Sequence, residues 1–238
     1  MTTNMFPLSD VRQLRERAVK AREITAFAPE GWSKSSINPM DVLAVFEPLR
    51  IKDGYILRAY HYRENTDAHG FVWAMPVDAD FPEPQHCPRD NVLLGTPKPP
   101  TAFEDFMEAI EGDGSPWSYF CASLLGRELR ELGAALHGCN WSTHAILDKN
   151  PLTEPSQSEA RYSPSGGPEQ WTWLEPEPSQ WQPSVFGNDD SHTVTFLTFS
   201  GYRRESIYHH ADWFSREAYR FTTQSTLVAS GPSGYVLC

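Results

Sequence analysis

The chain has 238 residues, 39% of them apolar and 13% aromatic, with 31 acidic against 20 basic side chains and a net charge of −11. A chain of this size buries roughly 70% of the surface its unfolded form exposes, so a core is possible without disulfide staples, and the aromatic content argues against wholesale disorder. The negative balance repels phosphate backbones and anionic bilayers, so nucleic acid is disfavoured as a partner and a membrane is not expected.

Cys87, Cys121, Cys139 and Cys238 are scattered without a CxxC pair, and reduced thiols in a cytoplasmic setting are the natural expectation. The longest unbroken apolar run, Val42 to Phe46, falls far short of a membrane span. Met1 to Pro7 lacks the basic and then apolar pattern of a signal peptide.

The first expected element is a helix from about Asp10 to Phe27, capped by Ser9 and stopped by Pro29. Val11, Leu14, Ala18, Ala21 and Ile24 fall at helical spacing and leave Arg12, Arg15, Arg17, Lys20 and Arg22 outside. A solvated face is the plain reading of that basic stripe. The sharper reading is a helix that docks on an acidic partner or on the chain's own acidic surface.

A β meander follows. Leu43 to Ile51 reads as a strand, Asp53-Gly54 as a hairpin turn, Tyr55 to Arg63 as the return, and Phe71 to Met75 as a third strand. Seven prolines between 76 and 100 mark a long loop, with Phe81, Val92, Leu93 and Leu94 as apolar anchors, or else a weak domain boundary.

Thr101 and Glu104 form a capping-box pattern ahead of Phe103, Phe106, Met107 and Ile110, predicting a helix that ends at Gly112. Ser115-Pro116 then starts a long one. Its apolar stripe runs through Trp117, Phe120, Cys121, Leu124, Leu125, Leu129, Leu132 and Leu136, with Gly138 as C-cap. Thr143 to Leu147 reads as a short strand. A second irregular segment, about 149 to 187, again carries seven prolines. β patterning returns at Thr193 to Phe199, Glu205 to His209, Glu217 to Thr222, Thr226 to Ser230 and Tyr235 to Leu237.

These elements predict one α+β domain over residues 1–238: an antiparallel sheet packed against a long amphipathic helix and a shorter helix, with long Pro-rich surface loops. No nucleotide-binding Gly pattern, nucleophile elbow or zinc-protease helix occurs.

Three constellations carry candidate chemistry. His137, Cys139 and His144 lie within eight positions, as ligands for a borderline metal or as a thiol nucleophile with an imidazole base. His210 and Asp212 would share one face of a strand, the carboxylate orienting the imidazole. Trp171, Trp173 and Trp181 sit in a Pro- and Glu-rich stretch, as planes for a sugar, a peptide or a protein partner, or as clamps onto the core.

The reading that best fits is a cytoplasmic, non-catalytic binding protein that meets another protein through its acidic surface and its Pro- and Trp-rich loops, with no cofactor. One alternative is a small metal- or Cys/His-dependent enzyme with a site near 137–144 and 209–212. Another is a nucleic-acid-associated protein that docks through its basic first helix. Composition and spacing decide neither enzyme status, metal content, ligand nor oligomeric state.

Overall fold

Strands outweigh helices in the computed structural model, with 40% of the chain in strand and 23% in helix. It describes residues 2–23, 29–90, 95–136, 139–153, 164–165, 167–188, 190–216 and 218–236. The expected α+β layering of a sheet on a long helix is therefore corrected. The main element is a curled antiparallel sheet, and the helices are short.

In chain order the elements begin with β1 (Thr2–Met5), α1 (Leu8–Ala21), β2 (Gly31–Lys34), α2 (Pro39–Leu43) and β3 (Leu49–Ile51). The hairpin β4 (Tyr55–Glu64) and β5 (Asp67–Pro76) follows, then the small pair β6 (Arg89–Asp90) and β7 (Thr96–Pro97), β8 (Ile110–Gly112) and α3 (Pro116–Arg130). The rest is β: β9 (His144–Leu147), β10 (Thr172–Trp173), β11 (Ser184–Gly187), β12 (Ser191–Ser200), β13 (Arg204–Ser215) and β14 (Phe221–Ser233).

These elements group into two compact units, the first of residues 1–13, 140–216 and 221–238, the second of residues 14–139 and 217–220. Helix α1 begins in the first unit and continues into the second.

The first unit is a seven-stranded antiparallel sheet in the order β1-β11-β12-β13-β14-β10, with β9 also on β12. One edge of β12 serves two partners in succession, His192 to Thr195 pairing with β11 and Leu197 to Ser200 with β9. The pairing of β13 with β14 contains a bulge: Ile207 faces Ala229 and Tyr208 faces Leu227, so Val228 is the extra residue. On one side of the sheet Leu147, Leu197, Phe199, Ile207, Val228 and Ala229 form a buried cluster under Trp171.

The second unit holds the sheet β2-β4-β5, the pairs β3-β8 and β6-β7, and the helices α2 and α3. Asp53-Gly54 makes a tight turn with Gly54 at φ 81°, but β3 and β4 do not pair; β3 takes β8 and β4 takes β5. Within the proline-rich stretch 76–100, Phe81 stacks on Tyr60 at 4.5 Å and the Tyr60 hydroxyl donates to the Pro82 carbonyl at 2.7 Å. The anchors proposed at Val92, Leu93 and Leu94 lie outside the described residues.

Of the three expected helices, the second and third depart from expectation for identifiable reasons. Helix α3 starts where expected, with the Ser115 side chain accepting from the Ser118 amide and Pro116 in the first turn. It ends at Arg130, after about 22 Å, and not near Leu136. Gly133 takes φ 68°, and Ala135 then bridges to Ala68 in β5. Tertiary pairing has replaced the last expected turn, although Leu132 remains buried. Residues 106–109 form only a 3-10 turn capped by Asp105, because Ile110 to Gly112 are taken as a strand partner by Leu49 to Ile51.

Two residues of the basic stripe on the first helix, Arg15 and Arg22, turn inward, while Arg12, Arg17 and Lys20 stay exposed. Arg15 Nε donates to Glu128 Oε1 of α3 at 3.2 Å, and Arg22 Nη1 donates to the Glu131 carbonyl at 3.1 Å. Arg22 Nε stands 3.2 Å from Glu128 Oε2, within ion-pair range but without hydrogen-bond alignment. Glu128 is fully buried, and a buried carboxylate needs such partners. Arg17 reaches Glu47 on the surface.

Candidate functional site

In an antiparallel sheet, residues directly opposite one another point to the same face, so the register assigns each side chain of the first unit to one of two faces. Val194, Phe196, Thr198 and Ser200 of β12 oppose Asp212, His210, Tyr208 and Ser206 of β13. His144 of β9 opposes Ser200, and Ser225 of β14 opposes His210.

This face carries a continuous hydrogen-bonded chain. His144 Nδ1 is 2.8 Å from the Thr198 hydroxyl, which is 2.9 Å from His210 Nε2, and His210 Nδ1 is 2.8 Å from the Ser225 hydroxyl. Thr198 and His210 are buried, His144 is partly exposed and Ser225 is exposed. A hydroxyl donates once and can accept, and a neutral imidazole does the same. The chain can therefore be satisfied with its donors running in either direction. Trp141, just before β9, stacks beside His144 with centroids 6.0 Å apart, Phe196 stacks on His210 at 4.9 Å, and Tyr208 lies 5.2 Å from His144.

Two of the residues singled out by sequence, His144 and His210, thus meet with ring centroids 5.8 Å apart. Asp212 is on the same face, fully buried, two positions further along β13. Cys139 belongs to the second unit, and His137 lies outside the described residues. Among the described residues no three His, Cys, Asp or Glu side chains stand close enough together to hold a metal ion. Thr198 and Ser225, which complete the chain, carry no signal in the sequence beyond alternation within a strand.

Replacing Thr198 by valine keeps its shape and removes the hydroxyl both imidazoles use. We expect a loss of about 1–3 kcal/mol in urea unfolding, the cost of orphaned buried polar atoms. An unchanged midpoint would show that the chain contributes nothing to stability.

The opposite face divides into a covered half and an open half. Over the covered half Trp171 is buried, 6.3 Å from Phe199, and Trp173 and Trp181 meet edge to face at 6.5 Å while packing on the same cluster. These three rings lie on the sheet's own core. Toward the other end of the strands lies a row that sequence reasoning missed: Thr3, Phe186, Thr193, Trp213 and Thr222, one residue from each of five neighbouring strands. The next row is Met5, Ser184, Thr195, Ala211 and Gln224. Trp213 is 43% exposed, Phe186 36% and Met5 56%.

The ten residues of these two rows carry no formal charge. At their margin His209 is on the same face, and burial holds its imidazole below its ordinary value, so it too is neutral at pH 7. The signal in the sequence was the period of two along His209, Ala211 and Trp213, obscured by the histidine and the aspartate that alternate with them.

Of the basic residues on the first helix, Arg15 and Arg22 are engaged at buried Glu128, and Arg17 pairs with Glu47 on the surface. Comparison with family models, with curated proteins and with solved structures gave no match to this chain.

Proposed function

We propose that the chain is a non-catalytic binding protein that takes its partner on the open half of the seven-stranded sheet. The observation that carries this reading is the row Thr3-Phe186-Thr193-Trp213-Thr222, in which two exposed rings alternate with hydroxyl side chains and no charge intervenes. Exposed Trp on a rigid strand is a preferred anchor, because its large surface is fixed with little loss of side-chain freedom. Placement on the ladder holds both rings in a fixed relation.

The reading is tested with three probes: a soluble neutral glucan, unfolded casein and duplex DNA. Binding to an uncharged or weakly charged probe is expected, and none to DNA. Trp213→Ala is expected to cost about 2 kcal/mol, roughly thirtyfold in Kd. Raising ionic strength from about 0.05 to 0.5 M should leave the affinity within about twofold, because the face offers no charge to screen. Affinity that collapses with salt, or that ignores Trp213, would move the binding surface elsewhere.

A second reading draws on the chain through Thr198: proton transfer by His144, with His210 and Ser225 leading the proton to solvent. It is supported by three successive short hydrogen bonds linking a partly exposed imidazole to an exposed hydroxyl. His144→Gln and Thr198→Val should then abolish any turnover while leaving binding at Trp213 unchanged.

A further inference from the structure

Resting on the open sheet face as the binding surface, we infer that the ligand is a neutral polysaccharide chain laid across the strands, one sugar ring on Trp213 and another on Phe186. Three features of the face select this chemistry.

The first is the pairing of ring and hydroxyl. A pyranose presents a face of C–H groups, which the negative face of an aromatic ring attracts, and a rim of hydroxyls. Thr193 lies between the two rings and Thr222 beyond Trp213, and a threonine hydroxyl both donates and accepts, as a sugar hydroxyl does. Gln224 in the next row adds an amide, whose Nε2 donates to the Thr226 hydroxyl at 3.4 Å and keeps its carbonyl oxygen as a further acceptor.

The second is spacing. Phe186 and Trp213 are two strands apart in the ladder, about 10 Å. Next-but-one rings of an extended glycan bridge such a span, and the strands hold it constant.

The third is charge. The two rows are uncharged while the chain as a whole carries −11, so polyanions, uronate polymers included, meet long-range repulsion. Nucleic acid would need cations that these rows lack. An extended peptide adds to a sheet at its edge through backbone pairing, whereas these rings stand on the face. A protein interface centres on a contiguous apolar core, and here each ring is set apart by threonine.

Affinity electrophoresis in native gels containing a dissolved β-glucan, mannan or xylan tests the assignment, with calorimetry for the gel that retards the protein. At least one neutral polymer is expected to retard the wild type. Trp213→Ala should weaken binding by roughly tenfold to a hundredfold, Phe186→Ala by less, and Thr193→Val by a few-fold. All three positions are on the surface, and matched thermal melts of the variants confirm that they fold. A carboxymethylated form of the same polymer should bind no better than the neutral one.

Retardation by none of the three polymers overturns the glycan assignment, and so does retardation that survives in the Trp213→Ala/Phe186→Ala double variant. If casein binds instead and needs Trp213, the glycan is wrong and the face stands. If glucan binds without needing Trp213, the face itself is wrong.

Discussion

Replacing Glu128 by alanine should destabilise the folded chain by about 3–5 kcal/mol, the cost of breaking a buried ion pair by removing one partner. Glu128 has no exposed surface, and its two oxygens stand 3.2 Å from Arg15 Nε and 3.2 Å from Arg22 Nε. Alanine leaves two guanidinium groups, 14% and 10% exposed, without their counter-charge. Glu128→Gln keeps the volume and part of the hydrogen bonding, so it should cost less than alanine. Arg15→Ala combined with Glu128→Ala should cost less than the sum of the two singles, since the pair is lost only once. Guanidinium unfolding of the four proteins supplies the numbers. Additive losses would mean that Arg15 and Glu128 are not coupled.

The second large effect is expected at Leu129. It lies one residue along α3 from Glu128, fully buried with Leu124 and Leu125, and α3 packs on α2, β3 and β5. Leu129→Ala should lower stability by about 2–5 kcal/mol, the transfer free energy of the lost methyl groups plus that of the cavity. A change of only a few tenths of a kcal/mol would place this helix face in solvent. Trp213→Ala is the counterpart, with its ring on the surface and a thermal midpoint expected to stay near that of the wild type.

Local signals were read well where the local sequence decides the outcome. Ser115-Pro116 starts α3, Asp53-Gly54 turns the chain, and the strands expected at 55–63, 143–147 and 193–199 are present within a few residues. The failures have a common cause, which is partners far away in sequence. Ile110 to Gly112 could end a helix on local grounds, and only Leu49 to Ile51 makes them a strand. Thr2 to Met5 carry no strand pattern of their own and are ordered by Ser184 to Gly187.

The same holds at the candidate site. His144 and His210 were visible as residue types, but their meeting through Thr198 follows from β9 and β13 lying on either side of β12. The strand expected at Glu205 to His209 stops short of Ser215 because His210 and Asp212 interrupt the apolar alternation beyond it. In the sheet His210 is accommodated by hydroxyls from both neighbouring strands, Thr198 and Ser225.

The bulge at Val228 also fixes how the gene can be shortened or lengthened. A strand has parity: each residue added or removed exchanges the two sets of side chains beyond that point. Because Val228 is already surplus to the pairing, its deletion removes this bulge, with the separate irregularity between Arg204 and Ser206 untouched, and leaves Ser225 opposite His210 and Thr222 opposite Trp213. Deletion of Thr226, the partner of His209, is absorbed by drawing Val228 into the ladder opposite Tyr208 and Leu227 opposite His209, which exchanges the faces of those two side chains while Ser225 and Thr222 keep their places. Two codons so close together thus differ in kind, one dispensable to the wiring of both faces and one whose loss turns Leu227 and Val228 over.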